Sequence, residues 1–329
     1  MKRITPILIA IWLITNNLLA QDPQFSQFYS NPALMNPAFT GTVGNRFAAN
    51  YRMQWVGIPK AYTTFAATFD MPVNFGGTHH GVGLSTMVDR AGEGSLQNIR
   101  INALYSFDLQ ISESSSILLG LTGGITQSSL ALHKLRFPNQ FTDISGFDPN
   151  ALSGESGGQS RINEYVGTGL MFFNKYIYAG GSVDNLTEPT QKFLTGGSAV
   201  NAKLPMKMTF NAGASIPLDN EKENGKSIAP AAMYRMQGPF SQLDLGMYVG
   251  IPPVSIGFWY RGIFAQDKTD AIIAMIGFRF DKFRFGYSYD YTISTLTNSS
   301  SAGSHEISVV VEFDKERHKK QKQLPCPKF

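Results

Sequence analysis

Phe283-Arg-Phe-Gly-Tyr-Ser-Tyr-Asp-Tyr-Thr292 reads as two sequences interleaved. Phe283, Phe285, Tyr287, Tyr289 and Tyr291 are aromatic; Arg284, Gly286, Ser288, Asp290 and Thr292 are polar or small. Successive side chains point to opposite faces of a strand, so this segment has an aromatic face and a hydrophilic, charge-bearing face. A soluble sheet accommodates that pattern with its aromatic face on a core. A transmembrane barrel does so with aromatics toward lipid and polar groups toward the lumen.

The rest of the chain decides between them. The same alternation predicts strands over 46–54, 63–71, 81–90, 96–108, 117–128, 164–173, 176–185, 206–217, 228–237, 242–251, 254–264, 271–280, 283–292 and 305–313. That makes about 14 strands, with 12 as the alternative, of the length a tilted strand needs to cross a bilayer. No helical interlude is long enough for a parallel crossover, so the sheet is antiparallel. An even number of consecutive hairpins closes naturally and removes exposed edges. The connections sort by length. Those at 129–163, 186–205 and 293–304 are long and odd-numbered, whereas the two-residue turns 174–175, 252–253 and 281–282 are all even-numbered. Long loops outside and short turns in the periplasm are the signature of an outer-membrane barrel. The fold expected is therefore all-β: a transmembrane, outer-membrane antiparallel β-barrel over residues 46–313, with an N-terminal periplasmic arm and a short basic C-terminal tail.

Residues 1–20 read as a signal peptide, with a Met-Lys-Arg start, a short apolar run and Leu-Leu-Ala before Gln21. The reading is export to the periplasm followed by outer-membrane insertion. Charged residues are 16% of the chain, below the ~25% usual for soluble domains. A single cysteine, Cys326, excludes an intramolecular disulfide framework. The arm, 21–45, contains Asn31-Pro32 and Asn36-Pro37, which prevent a long helix or strand. Phe25, Phe28, Tyr29, Leu34, Met35 and Phe39 make it too apolar for a disordered tail, and the barrel mouth or lumen is the surface it would pack on. The tail, 314–329, is basic and then turns apolar at Leu-Pro-Cys-Pro-Lys-Phe, a candidate periplasmic docking peptide through Pro325, Cys326, Pro327 and Phe329.

Chemistry is sparse. His79 and His80 are adjacent and point apart, unlike the i, i+4 pair of a zinc helix. Ser304-His305-Glu306 alternates faces, so His305 cannot serve both neighbours. Gly76-Gly77, Gly123-Gly124 and Gly180-Gly181 lack the lysine and helix of a phosphate loop. No catalytic, metal or cofactor residue is assigned, and no basic-aromatic patch argues for nucleic acid. Arg52, Arg100, Arg261, Arg284, Asp70, Asp244, Asp290 and Glu312 fall on polar faces, where they can pair across the lumen or line a selective pore.

The most distinctive text is QDPQFSQFYSNPALMNPAFTG, residues 21–41, followed by NRFAANYRMQW, FDMPV, FRFGYSYDYT, SHEISVVVEF and the Pro-Cys-Pro-X-Phe ending. Together these resemble the PorP/SprF family of Bacteroidetes outer-membrane proteins across essentially the whole chain after residue 20. Asn31, Pro32, Asn36, Pro37 and Gly41 carry the arm motif. The resemblance implies a non-enzymatic barrel of type IX secretion and gliding motility. Such a barrel supports secretion or attachment of large surface proteins, or anchors the machinery. Expected partners are outer-membrane lipids, periplasmic and lipoprotein components of the system, and a surface adhesin or its C-terminal sorting domain. Read from the residues alone, a passive solute or lipid-type channel is the alternative.

Overall fold

The computed structural model describes residues 22–92, 96–112, 114–131, 134–135, 140–142, 146–147, 160–191, 202–219, 225–263 and 268–313. Fourteen strands form one antiparallel ring: β1 Arg46–Gln54, β2 Tyr62–Phe75, β3 Thr78–Ala91, β4 Leu96–Ser112, β5 Ser115–Ser129, β6 Ser160–Phe173, β7 Ile177–Asp184, β8 Lys207–Ala214, β9 Ser227–Gln237, β10 Phe240–Ile251, β11 Val254–Ile263, β12 Lys268–Phe280, β13 Phe283–Thr292 and β14 Ser304–Glu312. Each strand pairs with its neighbour in sequence, and β1 closes on β14 in a register running from Arg46↔Glu312 to Gln54↔Ser304. Among the described residues no helix is long and apolar enough to cross a membrane, which places no limit on strands.

The alternation sorts faces as the sequence requires. Along β13, Arg284, Ser288, Asp290 and Thr292 are buried inward, while Phe283, Phe285, Tyr287 and Tyr291 are exposed on the outer surface. The same outward face carries Phe47, Phe65, Leu84, Ile101, Leu121, Phe210, Phe258 and Ile276. So continuous an apolar surface is stable against lipid and not against water. The barrel is therefore an outer-membrane one.

Two expectations about the turns need correction. Strands β2 and β3 run past Pro72 and Asn74 to a two-residue turn at Gly76-Gly77, both at positive φ, as a primed hairpin turn demands. Likewise β4 and β5 extend to Ser112 and Ser115. The even-numbered turns are thus shorter than the sequence suggests. The odd-numbered connection after β9 is also short: Gly238 at φ +57° lets Gln237 pair directly with Phe240. Not every two-residue turn lies on the even side, although the longest connections remain on the other.

Candidate functional site

Buried polar and charged side chains concentrate inside the ring, where the arm lies. The arm meets β1 at the short-turn end, the periplasmic side of the sequence reading, and from there residues 41 back to 22 run along the lumen to the long-loop end. Residues 25–33 and 35–41 are all buried. The direction follows from the contacts. Thr40 and Gly41 touch Gly81, Ser106 and Asp70, near the short turns. Asp22 instead meets Arg100, Asn185, Lys207 and Gln237, at the opposite end of their strands.

The two Asn-Pro pairs build the middle of the arm. Each proline opens a short 3-10 turn, Pro32–Leu34 and Pro37–Phe39, at a position where its missing N–H costs nothing. Asn36 caps the second: its Oδ1 accepts from the Ala38 N–H at 2.9 Å, while its Nδ2 donates to the Leu170 and Gly181 carbonyls at 3.3 and 3.1 Å. One side chain thus fixes the turn and ties it to β6 and β7. Asn36→Ala leaves a buried N–H and removes both ties, so a loss of about 1–3 kcal/mol is expected, read as a lower denaturant midpoint of the folded barrel. An unchanged midpoint would show that the turn holds itself.

The wall is cut to fit. A Cβ on Gly120 would lie 2.1 Å from the Ala38 nitrogen, and one on Gly169 would lie 2.0 Å from Asn36 Oδ1. Gly41, at φ +69°, donates its N–H to Asp70 at 2.7 Å, and Arg46 then holds the same carboxylate through Nε and Nη2 at 3.0 and 3.1 Å. Phe28 and Tyr29 fill the next level against Trp259, with ring centroids 5.0 and 5.9 Å away; the Tyr29 and Tyr178 hydroxyls hydrogen-bond. Beside the arm a cavity remains, lined in part by Asn31, Asn102 and Thr122. The Asn31 carboxamide has no protein partner there, so the otherwise mixed lining of the void holds an unsatisfied polar group that a water could bond.

Toward the long loops the contacts become ionic. Glu306 accepts the Ser26 and Gln27 backbone N–H groups at 2.7 and 3.1 Å. The Ser26 hydroxyl donates to Asp290 at 2.7 Å and accepts from Arg52 and Arg261 at 2.6 and 2.9 Å. Arg52 and Arg261 also pair with Asp290 at 2.8 and 2.9 Å, and Arg261 Nε reaches Asp244 at 2.8 Å, which Arg235 also holds. Burial is tolerated because opposite charges and hydrogen bonds compensate one another. At the arm's start, burial alone would raise the Asp22 carboxyl, but Arg100 and Lys207 outweigh it and hold the group below its ordinary value.

The sequence-assigned residues divide cleanly. Asn31, Pro32, Asn36, Pro37 and Gly41 come together in the lumen. Pro325, Cys326, Pro327 and Phe329 lie outside the described residues. His305 faces outward to Tyr287 while Ser304 and Glu306 are buried inward, so the three do not converge. His79 and His80 hydrogen-bond Asn74 and Tyr105. Ser26, Gln27, Gly120 and Gly169 were not singled out by sequence reasoning. For the glycines a signal existed, a missing side chain at an inward-facing position; for Ser26 and Gln27 the shared partner, Glu306, is 280 and 279 residues away and left none.

A family model described as "Type IX secretion system membrane protein PorP/SprF" matches residues 17–311. The chain belongs to the PorP/SprF family. The match covers the arm as well as the ring, so the threaded segment is part of the PorP/SprF region of this chain. Similar solved structures include the Acinetobacter baumannii outer membrane protein Omp33, at 6% identity over 83% of this chain and 100% of that one, with a TM-score of 0.46. A mutant of the Rh. blastica porin is 7% identical over 82% of this chain and 99% of that one, with a TM-score of 0.36. No curated protein matches. The PorP/SprF chain is accordingly an outer-membrane component of type IX secretion.

Proposed function

We propose that this PorP/SprF barrel is a non-enzymatic scaffold that supports secretion or surface attachment of large cell-surface proteins, or anchors the secretion machinery in the outer membrane. One observation carries the reading beyond family membership: the lumen is occupied by the protein's own arm, bonded along its length. A barrel so filled works through its rims and its ends more readily than through a solute path. The passive-channel reading would need the arm to leave.

In this reading residues 1–20 are removed on export, and the basic tail, 314–329, extends on the periplasmic side from Phe313, whose N–H is bonded to the Asn45 carbonyl at the short-turn end. Pro325, Cys326, Pro327 and Phe329 are the proposed docking residues for a periplasmic or lipoprotein component. An adhesin or its C-terminal sorting domain is the proposed cargo. Affinity purification from outer membranes tests the docking role. The chain lacking 314–329 should insert normally and lose a periplasmic partner that the full chain recovers. Recovery of the same partners by both would remove the tail from the interaction.

A further inference from the structure

We propose that the cavity beside the arm binds a cluster of ordered waters, through which the arm is joined to the wall at β1, β4 and β5. The two Asn-Pro pairs show where the need arises. Asn36 caps the turn that follows it, whereas Asn31, in the same position before Pro32–Leu34, makes no capping bond. Its carboxamide lies on the cavity instead, where neither its oxygen nor its nitrogen has a protein partner. Three more buried atoms on the same lining share that condition: Asn50 Oδ1 from β1, Asn102 Oδ1 from β4 and Thr122 Oγ1 from β5. All four residues are more than nine-tenths buried.

Buried amides and hydroxyls find partners in folded proteins, because an unmet one forfeits its hydration. The charged side chains of the described lining, Arg100, Asp184, Lys207 and Arg235, are already in ion pairs. What remains unmet is therefore uncharged. Four of the five atoms are oxygens, so it is chiefly donors that are wanted. Water answers both conditions: each molecule donates twice, and one can also accept from the Asn31 nitrogen. The cavity offers about 70 Å³ to the centres of water molecules, which at roughly 15 Å³ for each is room for on the order of five. Asn50 ties this site to the ionic network, because its Nδ2 donates to Ser30 Oγ and Glu306 Oε1 at 2.7 and 3.1 Å while its Oδ1 is left to the cavity. The arm is thus bonded directly to Glu306, Asp290 and β6–β7, and through water to the flank that these contacts leave over.

The test uses the full chain in lipid nanodiscs, with water radiolysed in place by an X-ray pulse and methionine oxidation read by mass spectrometry. Radicals formed from bound water oxidise the side chains beside it even where bulk solvent is excluded. Met35 and Met233 line the cavity; Met171 and Met275 belong to the same buried cluster and do not. The pairs are matched in exposure, 9% and 1% against 8% and 0%. Met35 and Met233 should oxidise several-fold faster than the other two. The variant Asn31→Leu/Asn102→Leu/Thr122→Val keeps nearly the same shape but makes the lining apolar, and apolar cavities stay dry. Its Met35 and Met233 should fall to the rate of Met171 and Met275. Asn31→Leu breaks no cap, and heat-shifted gel migration certifies folding. Should the triple variant not fold, the isosteric Thr122→Val alone should still lower the rate part-way. Uniformly slow oxidation of all four methionines, or an undiminished rate in a folded variant, would overturn the proposal. Such waters require the arm to stay in the lumen, as the scaffold reading has it. Fast oxidation of all four would show an arm that leaves, and would overturn both.

Discussion

A chain lacking residues 22–40 should insert as a barrel and conduct in planar bilayers, while the intact chain stays silent. Volume and bonding set this outcome. Barrels of about eight strands fill their interior with side chains, and those of about 16–18 leave an aqueous channel. Fourteen strands fall between, and here the extra space is taken by a segment whose residues 25–33 and 35–41 are buried. Without it, water replaces Ser26 and Gln27 at Glu306 and Asp290, so the carboxylates are hydrated and the ring can stand. Current should rise from the bilayer baseline to resolved open-channel steps. Gly120→Val provides a second route to the same end, because its side chain would occupy the place of the Ala38 backbone. Silence from the deleted chain, with folding verified, would mean that the wall itself closes the lumen. A steady pore from the intact chain would restore the passive-channel reading.

Arg261→Met should be the most destabilising single substitution in the lumen. The guanidinium is buried and meets Asp244, Asp290 and Ser26 through three different nitrogens. Removing it leaves two carboxylates short of a partner in a dry environment, which costs about 3–5 kcal/mol when one member of a buried pair is deleted. The folded band should convert to the unfolded one at a markedly lower temperature on a heat-shift gel. Adding Asp244→Asn removes one of the stranded charges and should recover part of the loss. If the double variant is no better than the single, the cost is one of packing and not of stranded charge.

The ring was legible in the sequence because its signal is local. A period of two along Phe283–Thr292, repeated in the neighbours, assigns every side chain to lipid or lumen without knowledge of the partners. Strand ends were less legible. Pro72 and Asn74 fall beyond the predicted strand 63–71, yet β2 runs through both, because Pro72 lies near the end of a long hairpin and cross-strand pairing overrides local preference. Residues 238–241 likewise read as a longer connection, although Gly238 alone supplies the turn geometry. The arm was half legible. Its aromatic content required a surface to pack on, and the lumen satisfies that requirement. Which residues hold it could not be read, since Ser26 and Glu306 are 280 positions apart and neither stands out among its neighbours. The tail, whose composition suggested docking, falls outside the described residues.

The Ser26–Gln27 attachment to Glu306 also joins the arm to the seam of the ring. Glu306 is on β14, the last strand of the ring, and β14 is the strand that seals against β1. The carboxylate that receives the start of the arm is therefore carried by the ring's last strand, at the seam itself. Contacts of such sequence separation form slowly, because so much chain must be ordered before they repay the entropy. A ring sealed first would have to admit the arm lengthwise past Gly120 and Gly169, where the fit leaves no room for a methyl group. The economical route lays the arm along the inner face of an open sheet and draws the seam shut over it, so that the barrel acquires its circumference and its contents in a single cooperative step.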